Sequence, residues 1–395
     1  MPILFLIVFI DLVGFGVIIP LLPFFAEHFA ASPATVGLLM ATYSLGQFIA
    51  APFWGRTSDR VGRRPILLIT LAGGALSYVV LGYADSLWML FLARALGGFM
   101  AGNISTAFAY IADITTAENR AKGMGVIGAA FGLGFIAGPA IGGILAGPDP
   151  LNANFQLPAL AAAGLSLTAL VMAIFMLKES LSDELRRSLA GKSRARRAQQ
   201  FRQALARPNL GLMIGLSFLA TFVFAGMETT FAMWSERRFD WGPQQNGYLF
   251  AFVGILSAII QGGLIGRLVN RFGETGLVVQ GAAALAIGML AIPFANSLAA
   301  LLAAMAIVAY GFSVINPTLN SLISLQVGPE EQGGIMGASR SATTMARVVG
   351  PVWAGMLFAV LGMDWPYFAG AAVMLVVAGL SLKKLKARGL AINQD

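Results

Sequence analysis

Long apolar stretches recur along the whole chain, and this feature restricts the fold more than any other. A helix that crosses the hydrocarbon core of a bilayer needs about 20 mostly apolar residues. Because lipid offers no hydrogen bonds, the backbone of such a segment must satisfy its own polar groups. The sequence therefore predicts an all-α integral membrane protein with twelve transmembrane helices. The stretches lie near 2–25, 34–54, 65–84, 87–112, 124–146, 156–177, 209–233, 244–265, 275–293, 297–325, 334–361 and 366–382.

The composition supports this class and argues against several others. Only 11% of the 395 residues are charged, whereas a soluble domain has about 25%. The chain has no Cys and a single His, His28, so disulfides, Cys or His metal sites and Cys or His nucleophiles have almost nothing to build on. We expect a protein that is not an enzyme and needs no cofactor.

The basic residues are arranged by topology. Most of the 26 Lys and Arg residues lie in the loops after even-numbered stretches and in the C-terminal tail, whereas the opposite loops contain only Arg237 and Arg238. Three more, Arg94, Arg340 and Arg347, fall inside predicted spans. The positive-inside rule then places both termini in the cytoplasm, in a multi-pass protein of the cell (inner) membrane. The net charge of +8 is thus explained without a nucleic-acid partner.

An internal repeat divides the chain into two six-helix, pseudo-symmetric halves. Gly-Arg-Thr-Ser-Asp-Arg-Val-Gly at 55–62 matches Gly-Arg-Leu-Val-Asn-Arg-Phe-Gly at 266–273, and Gly138-Pro139 matches Gly350-Pro351 at nearly the same offset. We predict an N-terminal half at 1–178, a basic cytoplasmic linker at 179–208 and a C-terminal half at 209–395. Transporters built from such repeats bind substrate between the halves, near the middle of the membrane.

Several motifs resemble those of one family. Residues 55–64 (GRTSDRVGRR) are similar to the signature loop between spans two and three of the major facilitator superfamily. Residues 134–143 (GFIAGPAIGG) resemble the fifth-span motif of its antiporters, and 11–23 (DLVGFGVIIPLLP) the first span of its twelve-span drug–proton antiporters. Residues 111–123 (IADITTAENRAKG) are closest in pattern to the tetracycline-exporter branch. The resemblance covers the whole chain and implies proton-coupled drug export, with a role in antibiotic resistance.

Three charged residues inside predicted spans are candidates for proton coupling. Asp11 interrupts the first span, and an ionisable residue there is costly and therefore a functional candidate. Arg94 needs a partner within the membrane, either Asp11 or a water, and the resemblance implies a role in proton movement. Glu228 lies in the seventh span and either shares proton or cation binding or is exposed at the outer mouth.

The resemblance implies that the 55–64 segment is a conformational latch. Gly55 and Gly62 allow a tight turn, Asp59 can lie at a helix N-terminus, and Arg63 can pair with Asp113. The alternative is that the basic residues only fix the topology. In the second copy Asn270 and Glu274 stand at the Asp59 and Arg63 positions, which predicts a weaker latch. The expected latch residues are Gly55, Asp59, Arg60, Gly62, Arg63 and Asp113.

The fifth span combines small residues with a proline, which favours a tight, bent helix at a gate. The expected gate residues are Gly134, Gly138, Pro139, Gly142 and Gly143. Polar residues on other spans are candidate substrate contacts, and Arg340 among them can recognise an anionic group. These residues are Gln47, Asn103, Asn246, Gln261, Asn316, Asn320 and Arg340.

These features predict a monomeric secondary transporter that works by alternating access, with the proton gradient as its energy source. Its expected partners are a small amphipathic or drug-like substrate, protons and membrane lipids. A lipid or metabolite carrier on the same fold is the alternative, and a non-transporting membrane receptor is a more distant one. Spans eight and nine contain neither His nor a buried acid, where tetracycline exporters carry functional charges, so the substrate and its charge stay open.

Overall fold

The computed structural model describes residues 2–116, 119–182 and 207–386, a part of the chain that is helical and contains no strand. Short π-helical or 3-10 turns at Ile260–Leu264, Ile292–Phe294 and Ser381–Lys386 continue three of the helices. The α-helices are α1 (Pro2–Ile18), α2 (Leu22–His28), α3 (Pro33–Val61), α4 (Arg63–Gly82), α5 (Leu87–Ala101), α6 (Ile104–Ile114), α7 (Arg120–Ala146), α8 (Gln156–Met176), α9 (Pro208–Phe239), α10 (Pro243–Ile259), α11 (Ile265–Ala291), α12 (Leu298–Leu325), α13 (Pro329–Leu361) and α14 (Trp365–Leu380).

The described helices agree with the expected number of spans. Ten helical segments are long and apolar enough to cross a membrane, and α1 with α2 forms an eleventh span that bends by 40°. One of the ten, Pro243–Phe294, has 52 residues, but Gly273 interrupts its helical backbone with a φ of 70°. This break divides the segment into two, so the described part of the chain contains twelve spans, as predicted.

Proline, serine and glycine set most helix boundaries. Helices α3, α9, α10 and α13 begin at a proline, which has no N–H to leave unsatisfied in the first turn. Ser32 and Ser297 cap α3 and α12 by accepting the amides of Thr35 and Ala300, each at 3.2 Å. Gly62, with a φ of 120°, ends α3 in a conformation that a side chain disfavours.

The repeat inferred from the sequence recurs in the packing. Helix α4 packs against α5 and α8 in the first half, and α11 packs against α12 and α14 in the second. Gly62 and Gly273, 211 positions apart, both have a positive φ. The chain also forms two compact units by contact: the first contains Met1–Lys192 with Phe231–Gly254, and the second contains Ser193–Thr230 with the chain from Ile255 onward.

Some boundaries differ from those read in the sequence. Helix α3 runs seven residues beyond the expected end of the second span, to Val61, because its last two turns are polar but still helical. The fourth span is broken at Gly102 and Asn103 into α5 and α6. Hydropathy detects membrane depth, not backbone geometry, and so it identified neither this break nor the bend between α1 and α2.

Candidate functional site

Asp11 is held within the first unit by the packing of α1 against α7 and α8. Its side chain is only partly buried. Ser166 on α8 donates its hydroxyl to Oδ1 of Asp11 over 3.4 Å. This distance exceeds the usual O–H···O limit of about 3.0 Å. The acid therefore has one weak polar contact and is left partly accessible.

Arg94 on α5 is 5% exposed, and its main contact is an aromatic face. Its Cζ lies 4.2 Å from the centroid of the Tyr43 ring, a distance typical of cation–π attraction. Within the described residues Nε of Arg94 is buried without a hydrogen-bond acceptor, and no ion pair joins Arg94 to Asp11. Asp11 was one of the two expected partners of Arg94. In the structure the ring of Tyr43 takes that place.

Tyr78 on α4 is the fourth titratable side chain at this place. It is buried, and its ring faces α1, because a Cβ added to Gly14 would lie 3.6 Å from Cε2 of Tyr78. We call Asp11, Tyr43, Tyr78, Arg94 and Ser166 the acid–arginine cluster. It joins one acid and one cation, without direct pairing, in the interior of a membrane helix bundle.

Glu228 lies in the second unit and forms an ion pair. Its Oε2 is 3.2 Å from Nη1 of Arg347 on α13. Glu228 is 8% exposed, so the alternative of an acid exposed at the outer mouth is wrong. Arg347, one of the three cations inside predicted spans, thus donates a hydrogen bond to an acid on another helix. The pair needs no proton to satisfy Glu228, which makes this residue a weaker candidate for proton coupling than Asp11.

Three of the expected latch residues, Asp59, Arg63 and Asp113, meet at the end of α3. Arg63 is 3% exposed, and its Nε lies 3.0 Å from Oδ2 of Asp113. Its Nη1 contacts Oδ1 of Asp59 at 2.5 Å and Oγ of Ser58 at 2.8 Å. The Arg63–Asp113 contact expected from the sequence is present, and one guanidinium joins α3, α4 and α6.

Glu179, just after α8, also belongs to this network. Its Oε1 accepts the amide of Arg63 at 2.8 Å and its Oε2 the amide of Arg64 at 3.1 Å. These are first-turn amides of α4, which Gly62 cannot cap because it has no side chain. Ser180 adds a hydrogen bond to Oδ2 of Asp113 at 3.1 Å. The start of the predicted linker is therefore fixed to the latch.

Three details of the expected latch are corrected. Asp59 lies in the last turn of α3 and not at a helix N-terminus, and Gly55 is helical, so Gly62 alone makes the turn. The side chain of Arg60 is exposed and has no ion pair within the described residues. In the second copy Glu274 stands at the position of Arg63. Glu274 accepts a hydrogen bond from Ser321 at 2.5 Å, so its contact is with a neutral side chain.

The small residues of the fifth span form a close seam with the first. A Cβ added to Gly138 would lie 2.6 Å from Cα of Gly16, and one on Gly134 would lie 2.8 Å from Cβ of Leu12. Gly142 faces the backbone of Val17 in the same way. This contact is between two helices of the same half, not against the other half, and it fixes α1 with its Asp11.

Gly143 points the other way, toward α10. A Cβ there would lie 2.7 Å from the Pro243 carbonyl oxygen and 3.1 Å from Cα of Gly247. The amide of Gln244 also donates to the carbonyl of Gly147 at 3.2 Å. Within the first unit, Gly143 and Pro139 are thus the gate residues that meet a helix of the second sequence repeat.

The expected substrate contacts fall into two groups. Asn246 is fully buried between Ser235 and the Gly242 carbonyl, and Asn103 is buried and donates to Thr70. Both amides are satisfied by protein partners in this conformation, so a role for them in substrate contact stays a prediction. Gln47 donates to the Ala101 carbonyl at 3.3 Å and is half-buried. The other four are half-buried or exposed, which is compatible with a ligand contact: Gln261, Asn316, Asn320 and Arg340.

Sequence reasoning missed Tyr43, Tyr78, Ser166 and Glu179. The first three are uncharged residues in apolar spans, and nothing local distinguishes them from lipid-facing or core residues. Glu179 had a signal that could have been read: it is the first acid after the sixth span, at the edge of a basic segment. Its partner lies 116 positions away, so only the fold reveals what it caps.

Comparisons with known proteins agree with the fold and with the resemblance. The family model of the Major Facilitator Superfamily matches residues 4–340 and 262–390. Multidrug resistance protein 2 of Bacillus subtilis (strain 168) is 30% identical over 98% of this chain and 96% of its own. The class C tetracycline resistance protein of Escherichia coli is 33% identical over 93% of this chain and 92% of its own.

A solved structure gives the same result. The human organic anion transporter MFSD10 (TETRAN) is 28% identical, and the alignment covers 96% of this chain and 98% of that one with a TM-score of 0.72. The nucleoside transporter NupG has a TM-score of 0.78 at 13% identity, which reflects the fold alone. With its twelve spans, its repeat and these matches, the chain is a multi-pass membrane protein that belongs to the Major Facilitator Superfamily.

Proposed function

We propose that this protein is a proton-coupled antiporter that exports small amphipathic, drug-like compounds by alternating access. The observation that carries the proposal is Asp11, a partly accessible acid with one weak hydrogen bond, within a membrane helix. Such a carboxyl can exchange a proton for another positive charge at low cost. The relatives named for multidrug and tetracycline resistance support the substrate class.

The coupling follows from competition at Asp11. Either a proton or the positive charge of a substrate neutralises the carboxylate, but not both. A ligand shifts a conformational equilibrium only through its different affinity for the two states. The proton gradient then drives export if protonated Asp11 favours one orientation and substrate-bound Asp11 the other, without any cofactor.

The latch and the gate serve this cycle at opposite ends of the spans. The Arg63 network ties α3, α4 and α6 together at one end. Gly143 and Gly247 close the seam of α7 with α10 at the other. We propose that each of these contacts opens in turn, in a monomer of the inner membrane with both termini in the cytoplasm.

An anionic substrate is the second candidate. Arg340 is an exposed cation on the membrane-spanning helix α13, and one of the similar structures is named an organic anion transporter. The two candidates differ in the residue on which they depend, Asp11 for a cation and Arg340 for an anion. A lipid or metabolite carrier would instead transport without any dependence on a pH gradient.

The test is pH-gradient-driven uptake into inverted vesicles. Ethidium, tetracycline and a fluorescent organic anion are the probes, and the variants are Asp11→Asn, Arg340→Gln and, as a matched control, Asp85→Asn. Asp85 is an exposed acid in the loop between α4 and α5. We expect uptake of ethidium or tetracycline that Asp11→Asn reduces to background and Asp85→Asn leaves unchanged.

Other results would refute the proposal in distinct ways. Gradient-driven uptake that is equal in Asp11→Asn and wild type removes Asp11 from the coupling. Uptake of the anion alone, lost in Arg340→Gln, replaces the cation model by the anion model. Transport that ignores the gradient supports a carrier without proton coupling.

A further inference from the structure

The cation of the acid–arginine cluster is held in an unusual way. A buried charge normally pairs with an opposite charge, because an unpaired one is costly to bury. Arg94 is nearly fully buried, yet its guanidinium lies over the Tyr43 ring at 4.2 Å and its Nε has no acceptor among the described residues. An acid, Asp11, belongs to the same cluster and is not used.

Tyr43 is fixed firmly enough to hold that position. Its backbone meets Gly98 so closely that any side chain on Gly98 would collide with it. The Tyr43 ring also stacks on Phe15 of α1, with centroids 4.8 Å apart. Because Phe15 lies one turn after Asp11, the same ring contacts the helix of the acid and the cation on α5.

Asp11 is correspondingly free to change partner. Its single hydrogen bond to Ser166 is long, and its side chain is partly accessible. The titratable side chains of the cluster are Asp11, Arg94, Tyr43 and Tyr78, and Arg94 is the one cation among them. An opposite charge close to a carboxyl favours its charged form, so a guanidinium that moves from the Tyr43 ring toward Asp11 would favour the carboxylate.

We propose that Tyr43 is a positioning residue that holds Arg94 on its ring face and away from Asp11, so that Asp11 can accept a proton. Arg94 and Asp11 then have two arrangements. In the first, Arg94 lies on Tyr43 and Asp11 holds a proton. In the second, the proton has left, and Arg94 moves to the carboxylate. This inference deepens the proposed antiport, and the experiment below does not depend on transport.

The test is carbodiimide labelling of Asp11 in the purified protein in lipid nanodiscs. A hydrophobic carbodiimide reacts with protonated carboxyls, and peptide mass spectrometry identifies the labelled residue. The rate at which Asp11 is labelled is measured from about pH 5 to 9, a range that extends to both sides of neutrality. The proteins compared are wild type, Tyr43→Phe and Tyr43→Leu. Asp11→Asn provides the blank.

Tyr43→Phe keeps the ring and is expected to label like wild type. Tyr43→Leu removes the ring, and Arg94 becomes free to stabilise the carboxylate. An opposite charge at about 4–6 Å typically changes the proton affinity of a carboxyl by a factor of about 10 or more. We therefore expect labelling of Asp11 at pH 7 to fall about tenfold in Tyr43→Leu.

Arg94→Gln in the Tyr43→Leu background separates positioning from damage. If Tyr43 acts through Arg94, the double variant labels as Arg94→Gln does, and the loss caused by Tyr43→Leu disappears. Tyr43→Met, of intermediate volume, replaces Tyr43→Leu if the latter does not fold. Equal labelling in wild type and Tyr43→Leu overturns the proposal, as does a loss in Tyr43→Phe or a loss that persists without Arg94.

Discussion

The two sequence repeats treat a membrane-embedded arginine in opposite ways. In the first, Arg94 rests on an aromatic ring, and among the described residues the polar side-chain partner of Asp11 is Ser166 and not Arg94. In the second, Arg347 pairs directly with Glu228 at 3.2 Å. By the offset of the repeat, Arg347 corresponds to Phe135, which contacts Phe15 with ring centroids 6.1 Å apart. The second repeat therefore has an ion pair where the first has an aromatic contact.

The difference separates two uses of charge. A closed ion pair is stable because each charge satisfies the other. Neither charge can bind a proton or a substrate until the pair breaks. An unpaired acid beside a cation on a ring face is less stable but ready to exchange. Under the function proposed above, the first repeat carries the arrangement that exchanges protons, and the second carries a structural ion pair.

Breaking the Glu228–Arg347 pair is expected to have the largest effect on stability. Arg347→Leu leaves a buried carboxylate without its partner and should lower the free energy of unfolding by about 3 kcal/mol, the low end for buried pairs because Arg347 is partly exposed. The measurement is SDS-induced unfolding in mixed micelles. Replacing both residues with Leu and Met should restore most of the loss. A fully additive double variant would mean that the pair contributes nothing to the structural role assigned here.

The close helix contacts at Gly138 and Gly350 allow the two repeats to be compared at positions without charge. Gly138→Ala should cost about 2 kcal/mol, within the range for overpacking, because its Cβ would lie 2.6 Å from Gly16. Gly350→Ala should cost as much, since Gly350 meets the backbone of Phe222 closely. Gly128→Ala on α7 is the control, because that position is open, and it should be neutral. A large difference between Gly138→Ala and Gly350→Ala would show that the two seams are not equivalent.

The smallest expected effect concerns the Glu179 cap of the first repeat. Glu179→Gln keeps an acceptor for one α4 amide but removes the charge, so it should cost about 0.5–1 kcal/mol. Glu274→Gln, at the position that corresponds to Arg63 in the second repeat, should cost less because its partner Ser321 is neutral. The same unfolding assay compares the two. Equal losses would contradict the view that the latch is built only once.

The sequence was sufficient for the features that depend on single segments. Hydropathy placed the spans, and the repeat predicted two related halves, which recur in the packing of α4 and α11. The topology inferred from the Lys and Arg pattern stays a prediction. Pairs such as Arg63 with Asp113 were accessible through the resemblance. These features share a short-range or recurring signal.

The remaining features depend on contacts between distant segments. Tyr43 contacts Arg94 only because α3 and α5 pack together. Glu228 pairs with a residue 119 positions away, Arg347. Asn246 was assigned to a cavity because a polar residue in a span suggests function. It is instead satisfied by Ser235 and Gly242, 11 and 4 positions away.

The attachment of Glu179 and Ser180 to the latch determines where the polypeptide can be cut, or a domain inserted, without loss of the latch. Tyr110 strengthens the attachment by donating its hydroxyl to the Lys178 carbonyl at 2.7 Å. A split transporter, expressed as two fragments that assemble in the membrane, should keep residues 178–181 with the first fragment. A cut or an inserted reporter domain placed ahead of them would free the first turn of α4, whereas one placed beyond residue 182 would spare it.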